Sequence, residues 1–173
     1  MKKIISLLLA VLLGVFALAA CGGEGEKEEK IEIPEGYAVY ENDALSFAYP
    51  EEWTKTDGST VTLAGKNGNN ITVVYEAKTD TYEKWTTEDY KTDMIPVYEA
   101  MGFTIQNPAV EQTETNGLKI TKISHTATMA GKTMDQTQYV ATIGDNTYTV
   151  TVTEVESDDA LAQNVFDTLC KVK

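Results

Sequence analysis

His125 is the one histidine of the chain, and Cys21 and Cys170 are its two cysteines. These are the residue types that most often act as general base, nucleophile or metal ligand, so their number bounds the chemistry on offer. A zinc site drawn from His and Cys needs about four ligands, which this set does not supply once Cys21 is set aside. A catalytic thiol at Cys170 would need an activating neighbour such as His125. His125 falls mid-strand between Ile123 and Ala127, where a core or sheet-face histidine is the plainer expectation. Cys170 follows Leu169 on a C-terminal helical pattern and reads as a small buried hydrophobe. The acids show no spacing of an EF-hand loop. Asp57-Gly58-Ser59 and Asp145-Asn146 carry oxygens suited to a loop calcium site, yet turn chemistry accounts for them. No nucleophile elbow or phosphate-cradling glycine loop occurs. The expectation is therefore a protein that is not an enzyme and carries no cofactor and no metal. The alternative is an envelope enzyme of hydrolase type with His125 or Cys170 exposed in a cleft.

Tyr82 and Trp85 are the best candidates for a ligand or partner surface. They lie three apart among Glu83, Lys84 and threonines, ahead of a helical segment, and exposed aromatics often mark binding surfaces. The opposing expectation is that this segment folds back onto the core.

The first twenty residues fix where such chemistry would take place. Met1-Lys2-Lys3 is a positive start, and Ile4 to Leu18 is an apolar run broken only by Ser6 and Gly14. About fifteen apolar residues fall short of the roughly 20 that span a bilayer as a helix, and the layout is that of a signal peptide. Leu18-Ala19-Ala20-Cys21 resembles the lipobox of bacterial lipoproteins. That resemblance implies cleavage between Ala20 and Cys21, lipid (palmitate-type acyl chains) on the Cys21 sulfur, and a cell-membrane protein facing outside the cytoplasm. Two acyl chains anchor stably where one holds only marginally.

Residues 1–20 are thus read as signal peptide, 21–36 as lipidated cysteine plus flexible acidic linker, and 37–173 as one globular domain. Gly22 to Lys30 lacks aromatics and apolar periodicity and cannot bury a core. The chain carries a net charge of −13 and no arginine, and losing Lys2 and Lys3 makes it two units more negative. The basic stripe of a nucleic-acid binder is missing, and acidity favours a soluble monomer. Expected partners are the membrane through the lipid anchor, and an envelope protein or small-molecule ligand.

The domain alternates as strands do. Leu45, Phe47 and Tyr49 oppose Ala44, Ser46 and Ala48 up to Pro50. Val61 and Leu63, then Ile71, Val73 and Tyr75, make two more strands around the Asn67-Gly68 turn. Thr86 to Met101 turns helical, with Tyr90, Met94, Val97, Tyr98 and Met101 on one face and Gly102 as cap. Pro96 means that this helix is kinked or begins late, near Asp93. After Phe103 to Gln106, a strand over Val110 to Glu114 precedes Asn116-Gly117 and a long run from Leu118 to Ala130. The apolar set changes face within that run, which predicts a bulge near Lys122. Strands over Lys132 to Ile143 and Thr147 to Val155 complete a meander. Ser157 and the acids after it signal a helix start, and Leu161, Val165 and Leu169 form its apolar stripe.

This order predicts an α+β fold, an antiparallel sheet with helices packed on it. With Phe47-Ala48-Tyr49-Pro50-Glu51-Glu52-Trp53, an aromatic strand ending in proline with tryptophan three residues on, it resembles the PsbP/DcrB-like α/β/α sandwich superfamily. The resemblance speaks for fold and assigns no functional residue beyond the lipobox cysteine, since members do unrelated things, some assisting photosynthetic complexes and others being lipoproteins of undefined task. The expectation of a non-catalytic binding or accessory module rests on the missing catalytic set.

Overall fold

Long stretches in which side chains alternate between two environments form strands because successive Cβ atoms point to opposite sheet faces. The computed structural model describes residues 31–172, apart from 80 and 159. The lipobox, and with it Ala20, Cys21 and most of the linker, lies outside the described residues. The strands are β1 (Tyr37–Glu41), β2 (Leu45–Pro50), β3 (Thr54–Thr56), β4 (Val61–Ala64), β5 (Asn70–Ala77), β6 (Thr104–Thr115), β7 (Leu118–Met129), β8 (Lys132–Ile143), β9 (Asn146–Glu154) and β10 (Cys170–Lys171). The helices are α1 (Thr87–Asp93), α2 (Ile95–Ala100) and α3 (Leu161–Thr168). The strands form a large antiparallel sheet, β3-β4-β5-β9-β8-β7-β6, and a small one, β1-β2-β10.

One face of the large sheet carries the main core. Leu63, Ile71, Val150 and Val152 meet Leu45 and Phe47 of the small sheet, and Leu161, Val165 and Leu169 of the α3 region. The opposite face carries a second cluster, in which Tyr90, Ile123 and Val140 are buried and Tyr82, Trp85, Met94 and Tyr98 pack around them. The antiparallel α+β sandwich read from the sequence is therefore present, with helices on both faces.

Trp53 turns back onto the end of β2, its N–H bonded to the Pro50 carbonyl at 3.1 Å, and packs on the main core. Its indole lies so close to Gly65 that a Cβ there would come within 2.8 Å of Nε1.

Several expectations need correction. The segment Thr86 to Met101 is two helices, broken at Met94, with Pro96 in the first turn of α2 where its missing N–H is no loss. Thr86 and Asp89 form a capping box that starts α1. Val97 and Met101 are 48% and 56% exposed, so they leave the buried face of Tyr90. No bulge interrupts β7 near Lys122, which pairs with Glu111 of β6 and Tyr139 of β8 without a shift of register. The apolar set changes face because Leu118 and Ile120 face the main core while Ile123 faces the α1–α2 cluster. The irregularity sits instead in β6, between Gln106 and Ala109, where Asn107 takes φ 51° ahead of Pro108. Ser157 is not the cap of α3, which starts after Ala160, although Asp158 accepts from the Ala160 N–H at 3.3 Å. Cys170 is not helical: Leu169 is extended, and Cys170 pairs with Ser46 as the first residue of β10.

Candidate binding cleft

Two-residue hairpins fix which main-chain groups face which neighbour. Asn116 (φ 48°) and Gly117 (φ 72°) both adopt the left-handed region, the requirement of the tight turn that joins β6 to β7. Thr115 and Leu118 close that hairpin, and Met129 and Lys132 close the next. Hydrogen-bonded pairs alternate along an antiparallel ladder. Counting from these closures, odd residues of β7 turn their N–H and C=O toward β8, and even residues of β8 turn theirs toward β7.

The β7–β8 ladder does not run its full length. It ends at Thr121↔Val140, one step short of Lys119 and Thr142, whose main-chain groups would make the next hydrogen-bonded pair. Beyond that point β7 stays paired only to β6 and β8 only to β9. A cleft of about 750 Å³, half open to solvent, occupies the divergence.

The tip of the β6–β7 hairpin explains why the strands part. Asn116 Nδ2 donates to the carbonyls of Asp167 (2.9 Å) and Leu169 (3.0 Å), and Thr115 Oγ1 donates to that of Phe166 (3.0 Å). These are carbonyls of the last turn of α3 and its exit, where the intrahelical ladder runs out, although that of Phe166 also accepts from the Leu169 N–H at 3.3 Å. By capping them the hairpin tip is drawn toward α3 and off the line of β8.

One wall of the cleft is the segment before α1. Tyr82 lines it, together with Glu83, Gln112, Thr121 and Thr142. Gln112 and Thr121 seat this wall: Thr121 Oγ1 donates to the Tyr82 carbonyl at 2.9 Å, and Gln112 Nε2 donates to the carbonyls of Tyr82 and Trp85, both at 3.2 Å. The Tyr82 hydroxyl donates to Glu76 at 3.1 Å. Burial, then the nearby Glu76 carboxylate, raises its pKa, so the ring stands in the cleft as a neutral donor. Charged side chains of both signs, Glu83 and Glu114 with Lys119 and Lys171, line the remainder.

Tyr82 and Trp85 therefore separate. Both are half-buried and meet edge to face at 4.9 Å, so the segment folds back onto the sheet. Trp85 goes on to pack against Tyr90, and only Tyr82 reaches the cleft. Gln112, Lys119, Thr121 and Thr142 carry no signal in the sequence, and Asn116 reads there only as part of a hairpin turn. The Asn116-Gly117 turn was the available signal, and it disclosed a hairpin but not the α3 carbonyls that it caps.

His125 is 4% exposed on the α1–α2 face. Its Nδ1 lies 3.1 Å from the Tyr90 hydroxyl and its Nε2 3.0 Å from Gln136 Oε1, while Gln136 Nε2 donates to Thr153 Oγ1 at 3.2 Å. Because the Gln136 amide spends its nitrogen on Thr153, its oxygen accepts from His125 Nε2–H, and Nδ1 accepts from Tyr90. Burial lowers the His125 pKa, against the opposing pull of Gln136 and Asp135; burial raises that of Tyr90. This neutral relay is closed to solvent. Cys170 is 3% exposed, its Sγ 3.1 Å from Ser46 Oγ, on the far side of the large sheet from His125. Asp57 is spent on an exposed ion pair with Lys55 at 3.0 Å. Among the described residues no three of His, Cys, Asp or Glu converge as a metal site would require.

No family profile matches the chain, and no curated protein does. Solved structures do match. The solution structure of cyanobacterial PsbP from Synechocystis sp. aligns with a TM-score of 0.58 at 16% identity, covering 89% of this chain and 98% of that one. A crystal structure from Bacteroides thetaiotaomicron aligns with a TM-score of 0.50 at 12% identity over 75% of this chain, which spans 45% of that longer one. At such identities the likeness concerns architecture, and in architecture the domain has the PsbP-like fold.

Proposed function

We propose that this chain is a membrane-anchored lipoprotein facing outside the cytoplasm. Its PsbP-like domain is a non-catalytic binding module that takes its partner in the β7–β8 cleft. The observation that carries the reading is the cleft itself: a ladder interrupted at Thr121↔Val140, walled by Tyr82, and held open by side chains that cap α3. The burial of both His125 and Cys170 supports this over a hydrolase, which would need one of them in reach of substrate. The lipid anchor rests on Leu18-Ala19-Ala20-Cys21 alone.

Two experiments test the two halves. Cys21→Ser should release the protein from membranes or leave it unprocessed, and a processed, membrane-bound mutant refutes the anchor. A photo-crosslinking residue replacing Thr142 should give discrete adducts in intact envelopes, with none from the same residue replacing Gly58 in the β3–β4 turn. Equal labelling from both positions, or none from position 142, refutes the cleft as binding site.

A further inference from the structure

Resting on that reading of the cleft, we infer that its occupant is an extended, basic polypeptide segment of a partner protein, which hydrogen-bonds to the main chain of Lys119 on one side and Thr142 on the other.

The directions of the main-chain groups set what the cleft can bind. Lys119 and Thr142 would form the pair after Thr121↔Val140, and both line the cleft. On their outer sides each strand is already engaged, Lys119 opposite Glu114 and Thr142 opposite Thr147. Each therefore offers an N–H and a C=O to whatever lies between them. In an extended chain, successive residues direct their N–H and C=O to opposite edges. Because β7 and β8 are antiparallel, the occupant runs antiparallel to one and parallel to the other: one of its residues can exchange both bonds with Lys119, and the residues on either side of it can bond the N–H and C=O of Thr142. A ring-shaped or compact ligand does not present donor and acceptor pairs on two sides in this alternating way. Addition of a strand to open sheet edges is an established mode of peptide recognition, and here two edges face one cleft.

Charge selects among peptides. The chain bears 27 acids against 14 lysines, for a net −13, and such a field speeds encounter with basic segments and slows acidic ones. Within the cleft two acids, Glu83 and Glu114, face two lysines, Lys119 and Lys171, so the preference for a basic segment comes from the field of the whole acidic chain.

The test uses the full-length chain in detergent micelles and three degenerate hexapeptide pools, free of cysteine and proline. One pool is enriched in lysine and one in glutamate; the third is the lysine pool with alternate main-chain nitrogens methylated. The readout is residue-level hydrogen exchange of the Lys119 and Thr142 amides. The lysine pool should slow both at least tenfold, and the methylated and glutamate pools should leave them unchanged. Lys119→Pro removes the cleft-facing N–H while sparing the bonds that Leu118 and Ile120 make to β6, so it should abolish protection at Thr142. Lys119→Gln keeps the main chain and should retain that protection. Thermal melts confirm that each variant is folded, and the methylated pool tests the idea on wild type without any variant. Protection by the methylated pool or by the glutamate pool as strong as by the lysine pool overturns the inference, as does protection surviving Lys119→Pro. If peptides still contact Tyr82 under those outcomes, the binding cleft stands and the strand pairing falls. If no pool affects any cleft residue, both fall.

Discussion

Replacing Asn116 with glycine separates the turn from the tether. Glycine adopts the left-handed conformation that Asn116 holds at φ 48°, so the hairpin still closes, but the bonds from Nδ2 to the Asp167 and Leu169 carbonyls are lost. At a net value of about 1 kcal/mol per hydrogen bond, the loss is about 2 kcal/mol. A freed hairpin can swing back so that Lys119 pairs with Thr142, which restores two main-chain bonds of about the same net value. The two contributions nearly cancel, so the melting temperature should fall by no more than about 4 °C. Stability is then a poor reporter, and exchange is the informative one. In Asn116→Gly the amides of Lys119 and Thr142 should exchange about tenfold more slowly than in the wild type, with the cleft closed to the crosslinker at position 142. Adding Thr115→Val, which removes the third tether to Phe166, should strengthen both effects. If exchange at Lys119 and Thr142 is unchanged or faster, capping of α3 is not what holds β7 and β8 apart.

Burial depresses the His125 pKa below the unfolded value near 6.5. Between those two values the unfolded chain binds more protons, so the contribution of His125 is fully present above pH 6.5 and is lost as pH falls toward the folded pKa, at up to about 1.4 kcal/mol per pH unit. Denaturant titrations from pH 7.5 to 5 should show this slope in wild type and a shallower one in His125→Asn; matching slopes refute it. Tyr90→Phe removes the hydroxyl bonded to His125 Nδ1 and should cost about 1–2 kcal/mol by leaving a buried acceptor unpaired, read as a lower denaturation midpoint at pH 7.5. Gly65→Ala places a methyl group 2.8 Å from the Trp53 indole; it should displace the ring, shift its fluorescence to the red and destabilise by about 1–3 kcal/mol. Cys170, 3% exposed, should react with a thiol reagent at the rate of unfolding and not at that of a free thiol. A fast native reaction would show that β10 opens away from β2.

What was legible in the sequence was what local pattern controls. The alternation of Thr147, Thr149, Thr151 and Thr153 with Tyr148, Val150 and Val152 gave β9 nearly to the residue. Asn116-Gly117 and Gly131 gave the turns of the meander, and Pro96 marked the break between α1 and α2. The errors arose where a partner distant in the chain decides the outcome. Cys170 continues an apolar helical period, but hydrogen bonding to β2, 124 residues earlier, draws it into a strand. For Trp85 the sequence offers both a partner surface and a segment folded back onto the core, because nothing nearby announces that Gln112 and Thr121 will hold the segment before α1 against the sheet. The cleft was illegible for the same reason: its opening depends on Asn116 meeting carbonyls 51 and 53 residues away.

The misread bulge at Lys122 and the cleft have one origin. A strand covered on a single face keeps its apolar residues in one alternation, so a change of face implies either a bulge or a change of cover. In β7 the cover changes: Leu118 and Ile120 lie in the main core below, while Ile123 lies under α1 and α2 above. The beginning of the strand thus belongs with α3 and its end with the opposite layer, and the strand must serve both without losing register to β6. That demand is met by keeping all ten β6 pairings on either side of the Gln106–Ala109 irregularity while giving up pairing to β8 only where α3 claims the hairpin. The site is on this account a consequence of how β7 is shared between two layers. It follows that restoring a single-faced pattern, for example with Leu118→Thr and Ile120→Thr, should loosen α3 and extend the β7–β8 ladder together. A variant in which α3 loosens but Lys119 stays unpaired would break that link.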